Sequence, residues 1–129
     1  MMRLFIADDS ELLRSHLVSM ISEFKEIEVV GQVKYAHEAV KSIRSLNPDV
    51  VILDIHMPDG NGINVLESIR KDHHSAKVII FTNFPYVQYK RRCIEAGADY
   101  FFYKATEFER LMEVLKQLIP EYTSKENPA

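Results

Sequence analysis

Apolar and polar positions along this chain follow two alternating patterns. Short, continuously apolar runs, among them RLFIA (3–7), VVIL (50–53) and KVIIF (77–81), each precede a longer stretch with apolar residues at helical spacing. Ser10 is a capping residue, and the helix predicted after it has an apolar face of Leu13, Leu17, Met20, Ile21 and Phe24. A second strand over about 27–33 precedes a helix bearing Ala36, Ala39, Val40 and Ile43, which Asn47-Pro48 should end. A third strand, 49–54, leads through IHMPDGNG to a helix with Ile63, Leu66 and Ile69. After a fourth strand, 77–82, Pro85 is placed to open a helix that Gly97 stops. A fifth strand, 99–103, precedes a helix with Thr106 and Glu109 as a capping box and a face of Phe108, Leu111, Met112, Leu115, Leu118 and Ile119. Residues 120–129, PEYTSKENPA, read as a polar, frayed tail behind one domain of 1–119.

Strict strand–helix alternation calls for a parallel sheet covered by helices on both faces. The first, third and fourth strands are apolar throughout, as strands buried on both sides must be. The second intersperses polar residues and reads as an edge, with the fifth as the opposite edge. The prediction is an α/β fold, a flavodoxin-like doubly wound (βα)5 domain with a five-stranded parallel sheet in order 2-1-3-4-5. The site of such a sheet lies beyond the carboxyl ends of the strands, where strand order reverses.

At 129 residues the chain is long enough to bury a core as one domain. A net charge of −3, with KRR at 90–92 as an isolated basic run, argues against direct binding to nucleic acid. Cys93 is the one cysteine, which excludes an internal disulfide and suits a reducing compartment. It reads as a half-buried helix residue, and His73-His74 as a solvated pair in a turn. No apolar stretch is long enough to span a membrane and the N-terminus does not resemble a signal peptide, so the expected location is cytoplasmic.

The chemistry sits where the apolar runs stop. Asp8 and Asp9 follow the first, Asp54 the third, Thr82 closes the fourth and Lys104 follows the fifth. Neighbouring strands lie ~4.8 Å apart, so the predicted order sets the Asp8-Asp9 pair across one strand gap from Asp54. Two like charges ~4 Å apart cost about 4 kcal/mol at an effective dielectric near 20. A cation among them relieves that repulsion, and an all-oxygen ligand set favours Mg²⁺ over Zn²⁺. The Thr82 hydroxyl and Lys104 ammonium suit the remaining oxygens of a phosphoryl group, and Asp54 can serve as a nucleophile.

Through ADD (7–9), VVILDIHMPDGNG (50–62), IIFT (79–82) and EAGADYFFYK (95–104), the chain resembles the receiver domain of two-component response regulators, of the chemotaxis-regulator type. The resemblance covers about residues 2–119. It implies that Asp54 is the phosphoacceptor, and that Asp9 ligates Mg²⁺ more directly than Asp8, which works largely through water. It implies a third protein ligand in the backbone carbonyl of His56. Thr82 and Lys104 would contact the phosphoryl group, and Phe101 would be the aromatic switch, filling space that Thr82 vacates. The implied donor is a sensor histidine kinase or a phosphotransfer protein. The output would be an unknown downstream protein docking on the fourth helix, fifth strand and fifth helix, with Tyr86, Tyr89 and Lys90 as candidate contacts. A homodimer formed on phosphorylation is a further possibility of the family.

Three departures from the family pattern carry expectations. Ala105 stands where the family often has a proline after a cis bond, so a trans peptide follows Lys104. Phe101 replaces the usual tyrosine and has no hydroxyl to present outward, which favours an inward ring. His56 and Phe84, each two residues after a site residue, would crowd the attacking water, and slow self-dephosphorylation is expected. The expected function is thus a self-modifying signalling switch and not a turnover enzyme, most simply a single-domain regulator. Alternatives are the receiver of a DNA-binding transcription regulator and an aspartate-nucleophile phosphatase. The latter wants an acid two residues after the nucleophile, where this chain has His56.

Overall fold

The computed structural model describes residues 1–72, 74–83 and 87–123. In chain order the elements are β1 (Met2–Ala7), α1 (Glu11–Ile21), β2 (Ile27–Val33), α2 (Ala36–Leu46), β3 (Val50–Leu53), β4 (His56–Met57), β5 (Gly60–Asn61), α3 (Gly62–Lys71), β6 (Lys77–Thr82), α4 (Val87–Glu95), β7 (Tyr100–Tyr103) and α5 (Phe108–Thr123). The main sheet runs β2-β1-β3-β6-β7, all parallel, which is the predicted order once the two-residue strands β4 and β5 are set apart.

Alternate residues of β1 feed two cores. Phe5 and Ala7 join Ala39 and Ile43 of α2, Leu66 and Ile69 of α3 and Cys93 of α4 on one face. Met2, Leu4 and Ile6 join Leu17 and Ile21 of α1 and Leu111, Leu115 and Leu118 of α5 on the other. A fully buried Ile, Leu or Phe side chain contributes ~1.5–3 kcal/mol, so a sheet apolar on both faces holds its strand ends rigidly. Among the described residues no helix is long and apolar enough to cross a membrane.

The helix ends follow local chemistry. The Ser10 hydroxyl accepts from Leu13 N–H at 3.1 Å and caps α1 as expected. Asn47 closes α2 in the left-handed region, φ 49°, directly before Pro48. Phe24 lies beyond α1 yet packs on the same core. Pro85, predicted to open the fourth helix, lies outside the described residues, as does Tyr86.

Two expectations are corrected. Residues 120–123 are not tail: α5 continues through Pro120 to Thr123, and Tyr122 packs against the second core. Burial of that aromatic ring outweighs the backbone hydrogen bond that Pro120 cannot donate. The capping box at Thr106 and Glu109 also gives way, because α5 starts at Phe108 and Glu107 precedes it. The Glu107 carboxylate turns back instead to accept from Tyr103 N–H at 3.1 Å.

Candidate functional site

Register brings the strand-end residues together. Ala7 pairs with Leu53, so the residues that follow, Asp8 and Asp54, leave the sheet side by side. Leu53 pairs with Ile80 and Thr82 with Tyr103, which puts Thr82 and Lys104 at the same edge. Backbone bonds continue the ladder into the site: Asp54 N–H donates to Ala7 O at 3.0 Å, Asp8 N–H to Val33 O at 3.0 Å and Lys104 N–H to Thr82 O at 2.9 Å. The side chains therefore project from the last fixed points of the sheet.

Lys104 Nζ lies 2.7 Å from Asp8 Oδ2 and 2.9 Å from Asp54 Oδ2. Asp8, Asp54 and Thr82 are buried, while Asp9 is exposed beside them. One oxygen from each of Asp8, Asp9 and Asp54 lies within 4.8 Å of the others. Asp54 Oδ1 is buried and has no hydrogen-bond partner among the described residues. An unpaired buried carboxylate oxygen costs more than a kcal/mol, and a cation bound by the three carboxylates would pair it. The donor set is all oxygen and its charge exceeds that of the single ammonium, so the residues present fit a hard divalent metal.

The electrostatics carry the mark of this crowding. Burial raises the Asp8 carboxyl above its ordinary value; hydrogen bonds from Lys104 and from Ser10 N–H oppose this, while the Asp54 charge adds to it. Burial pulls Lys104 downward, but the Asp54 charge and the hydrogen bonds to Asp8 and Asp54 outweigh it, and the ammonium titrates above its ordinary value. A carboxyl raised in the folded state favours folding while protonated. Its contribution falls as pH rises from the unfolded value through the folded one. At neutral pH Asp8 therefore destabilises the metal-free protein. Asp8→Asn should stabilise that form, because a neutral amide escapes the burial cost the carboxylate bears and removes a like charge from beside Asp54. Urea denaturation without metal checks this, and an unchanged or lower midpoint contradicts it.

The loop after Asp54 is pinned at three points. Met57 and Gly60 pair across a tight turn. Gly62 N–H donates to Ile55 O at 2.6 Å, and a Cβ on Gly62 would lie 2.0 Å from Asp54 O. Asp59 reaches across to the start of α2, accepting from Ala36 N–H at 2.6 Å, from His37 N–H at 3.2 Å and from the His37 ring. Tyr35, at the N-cap of α2, supplies no side-chain cap, so Asp59 does. The His37 ring, then Ala36 N–H, hold the Asp59 carboxyl down at about 2.

The other expected residues divide. His56 lies in β4, in the loop just after Asp54, with its side chain exposed. Phe101 is turned inward, 6% exposed, and meets Tyr103 edge-on at 5.3 Å between ring centroids. Lys90 Nζ stands 6.0 Å from the Phe101 ring centroid, linking that ring to an exposed cation. Tyr89 is half-buried against the first core, so as a surface contact it is mostly packing. Tyr86 and Phe84 lie outside the described residues. The peptide after Lys104 is trans. Cys93 is fully buried and not half-buried, and burial pushes its thiol up to about 11. Of the expected solvated pair, His73 lies outside the described residues and His74 is half-buried, its Nδ1 accepting from Ala76 N–H at 3.1 Å.

Sequence reading missed Gly62, Asp59 and Glu107 as contributors to the site. The doubled glycine of Asp-Gly-Asn-Gly was a signal for the first; nothing local marked the long-range partner of the second.

Comparison with known proteins identifies one family. A family model described as the response regulator receiver domain matches residues 4–116. The uncharacterized transcriptional regulatory protein YvfU of Bacillus subtilis is 37% identical over 92% of this chain and 60% of its own length. The crystal structure of a LuxR-family DNA-binding response regulator from Staphylococcus aureus superposes with a TM-score of 0.85 at 34% identity, over 92% of this chain and 99% of that one. A CheX-CheY-BeF3-Mg²⁺ complex from Borrelia burgdorferi contains a chain matching with a TM-score of 0.77 at 27% identity, over 88% of each. The chain spans about half the length of most curated relatives it matches.

Proposed function

Because the chain belongs to the response regulator receiver domain family, we propose that it is a phosphorylation-dependent signalling switch with Asp54 as its acceptor. The observation that carries this is Asp54 itself, with one oxygen held by Lys104 and the other buried and unpartnered amid three carboxylates. Mg²⁺ is the cation this donor set suits, with Asp8, Asp9, Asp54 and the His56 carbonyl as its protein ligands. When bound, it offsets charge on phosphoryl oxygens.

The residues divide the transfer among them. A carboxylate oxygen of Asp54 attacks phosphorus of a phosphohistidine on a kinase or phosphotransfer partner. The phosphorus–nitrogen bond breaks, its electron pair returns to the imidazole, and an acyl phosphate remains on Asp54. Lys104 exchanges a carboxylate partner for a phosphoryl oxygen, and Thr82 donates its hydroxyl to another. Beside the site a cleft of about 630 Å³, lined by Ser10, Leu12, Leu13, His16 and Lys104, gives the donor an approach. Leu12 is 82% exposed there, a large apolar side chain suited to a partner's apolar surface. Movement of Thr82 reaches the surface through Phe101 and Lys90 on the α4–β7–α5 side. Phe101 is turned inward, so in this reading rotation of this ring adds little to the signal. Displacement of Thr82 and of the α4 end carries the rest.

The product stays on the protein, so the domain is a switch and not a turnover enzyme. In one setting it acts alone through a partner protein. The name of one relative, a transcriptional regulatory protein matched over 60% of its length, and that of a DNA-binding response regulator favour a second, in which the same switch serves a DNA-binding unit. Acetyl phosphate with Mg²⁺ should label the wild-type protein, and neither Asp54→Asn nor metal-free protein should take label. Sustained turnover of a chromogenic phosphate ester would favour a phosphatase instead.

A further inference from the structure

We propose that Glu107 is a positioning residue for Lys104, holding the turn that aims the ammonium at the acceptor. Lys104 N–H is spent inward on Thr82 O, so Tyr103 N–H points away from the sheet at its open edge. Glu107 Oε1 accepts that N–H at 3.1 Å, and Glu107 N–H returns a bond to Tyr103 O at 2.8 Å. Thr106 N–H also donates to Tyr103 O, at 3.4 Å. Residues 104–106 are thereby a closed turn whose base is Tyr103, the residue before the lysine. The second carboxylate oxygen stands 3.4 Å from Arg110 Nη1, and the Glu107 side chain is only 21% exposed, so the group is braced.

The chain needs this brace for a local reason. Ala105 follows Lys104 through a trans bond and has no ring to fix the path of the turn. Lysine is a flexible four-carbon stem, yet Nζ must satisfy two carboxylates at 2.7 and 2.9 Å. What limits its wandering is the position of its backbone, which Glu107 sets through Tyr103. The proposal rests on the reading of Lys104 as the ammonium that grips the transferred phosphoryl group.

Three substitutions separate positioning from stability. Glu107→Gln keeps an acceptor oxygen for Tyr103 N–H and should phosphorylate from acetyl phosphate and Mg²⁺ within about twofold of wild type. Glu107→Asp keeps the charge and a good capping residue before α5, but is shorter by ~1.5 Å and falls short of Tyr103. It should retain the wild-type melting temperature while its labelling slows by about tenfold, the scale expected when a catalytic group is misplaced by a fraction of an ångström. In a Lys104→Ala background the same Asp substitution should change the rate no further. A wild-type rate in Glu107→Asp, a slow Glu107→Gln, or an undiminished effect without Lys104 would overturn the proposal. Failure of the wild-type protein to label would instead strike at the acceptor reading.

Discussion

Replacing Lys104 with methionine is expected to cost the metal-free protein about 3–5 kcal/mol at neutral pH and to slow phosphorylation about a hundredfold. The stability loss comes from two buried carboxylates, Asp8 and Asp54, which share this one ammonium. Methionine keeps the volume and apolar stem but leaves their charge uncompensated. Protonating Asp8, whose carboxyl is raised, relieves part of that repulsion, so the deficit should narrow as pH falls through the Asp8 titration. Millimolar Mg²⁺ should narrow it too, by binding the folded state alone. In the wild-type protein the Lys104 contribution has the opposite dependence. Its ammonium titrates above 10.5, so the stabilisation is complete below that value and is lost as pH rises through the folded one. Urea midpoints across pH, with and without Mg²⁺, measure all of this. A Lys104→Met protein with the wild-type midpoint and labelling rate would refute the role given to the ammonium.

Gly62→Ala should be equally severe by a steric route. The new methyl would lie 2.0 Å from Asp54 O, 2.9 Å from Asp54 C and 3.2 Å from Ile55 Cα. All three atoms are backbone, so no side chain can swing aside. The acceptor loop must shift, breaking the 2.6 Å bond from Gly62 N–H to Ile55 O. A loss of about 3 kcal/mol or more is expected, with labelling of Asp54 reduced even where the variant remains folded. Gly60→Ala is the matched control, because its Cβ would meet only the Ala36 methyl, at 3.3 Å. Equal midpoints for wild type and Gly62→Ala would contradict the close approach.

Much of the fold is legible because burial on both faces writes continuous apolar runs into β1, β3 and β6, and helical spacing writes the rest. The strand-end residues are legible for the same reason, since the apolar runs stop where the polar chemistry begins. What escaped depends on partners distant in sequence. The S/T-x-x-E spacing at Thr106 and Glu109 was a sound local signal, but the outward N–H of Tyr103 exists only because β7 pairs with β6. Pro120 and the polar residues around it looked like the end of structure, yet Tyr122 finds the second core and carries α5 to Thr123. Asp59 was one more acid in a polar loop, and its caps on Ala36 and His37 appear only once α2 lies beside the acceptor loop. Local pattern identifies which residues are chemically active; tertiary pairing decides which neighbours hold them in place.

The most direct measurement is the identity of the modified residue. The protein is exposed to acetyl phosphate and Mg²⁺, digested, and its phosphopeptides are sequenced by mass spectrometry with and without hydroxylamine, which cleaves acyl phosphates. The result expected is a single phosphoryl group on Asp54, removed by hydroxylamine. Phosphate on a histidine, serine or threonine, or a label on Asp54 that resists hydroxylamine, would contradict the account.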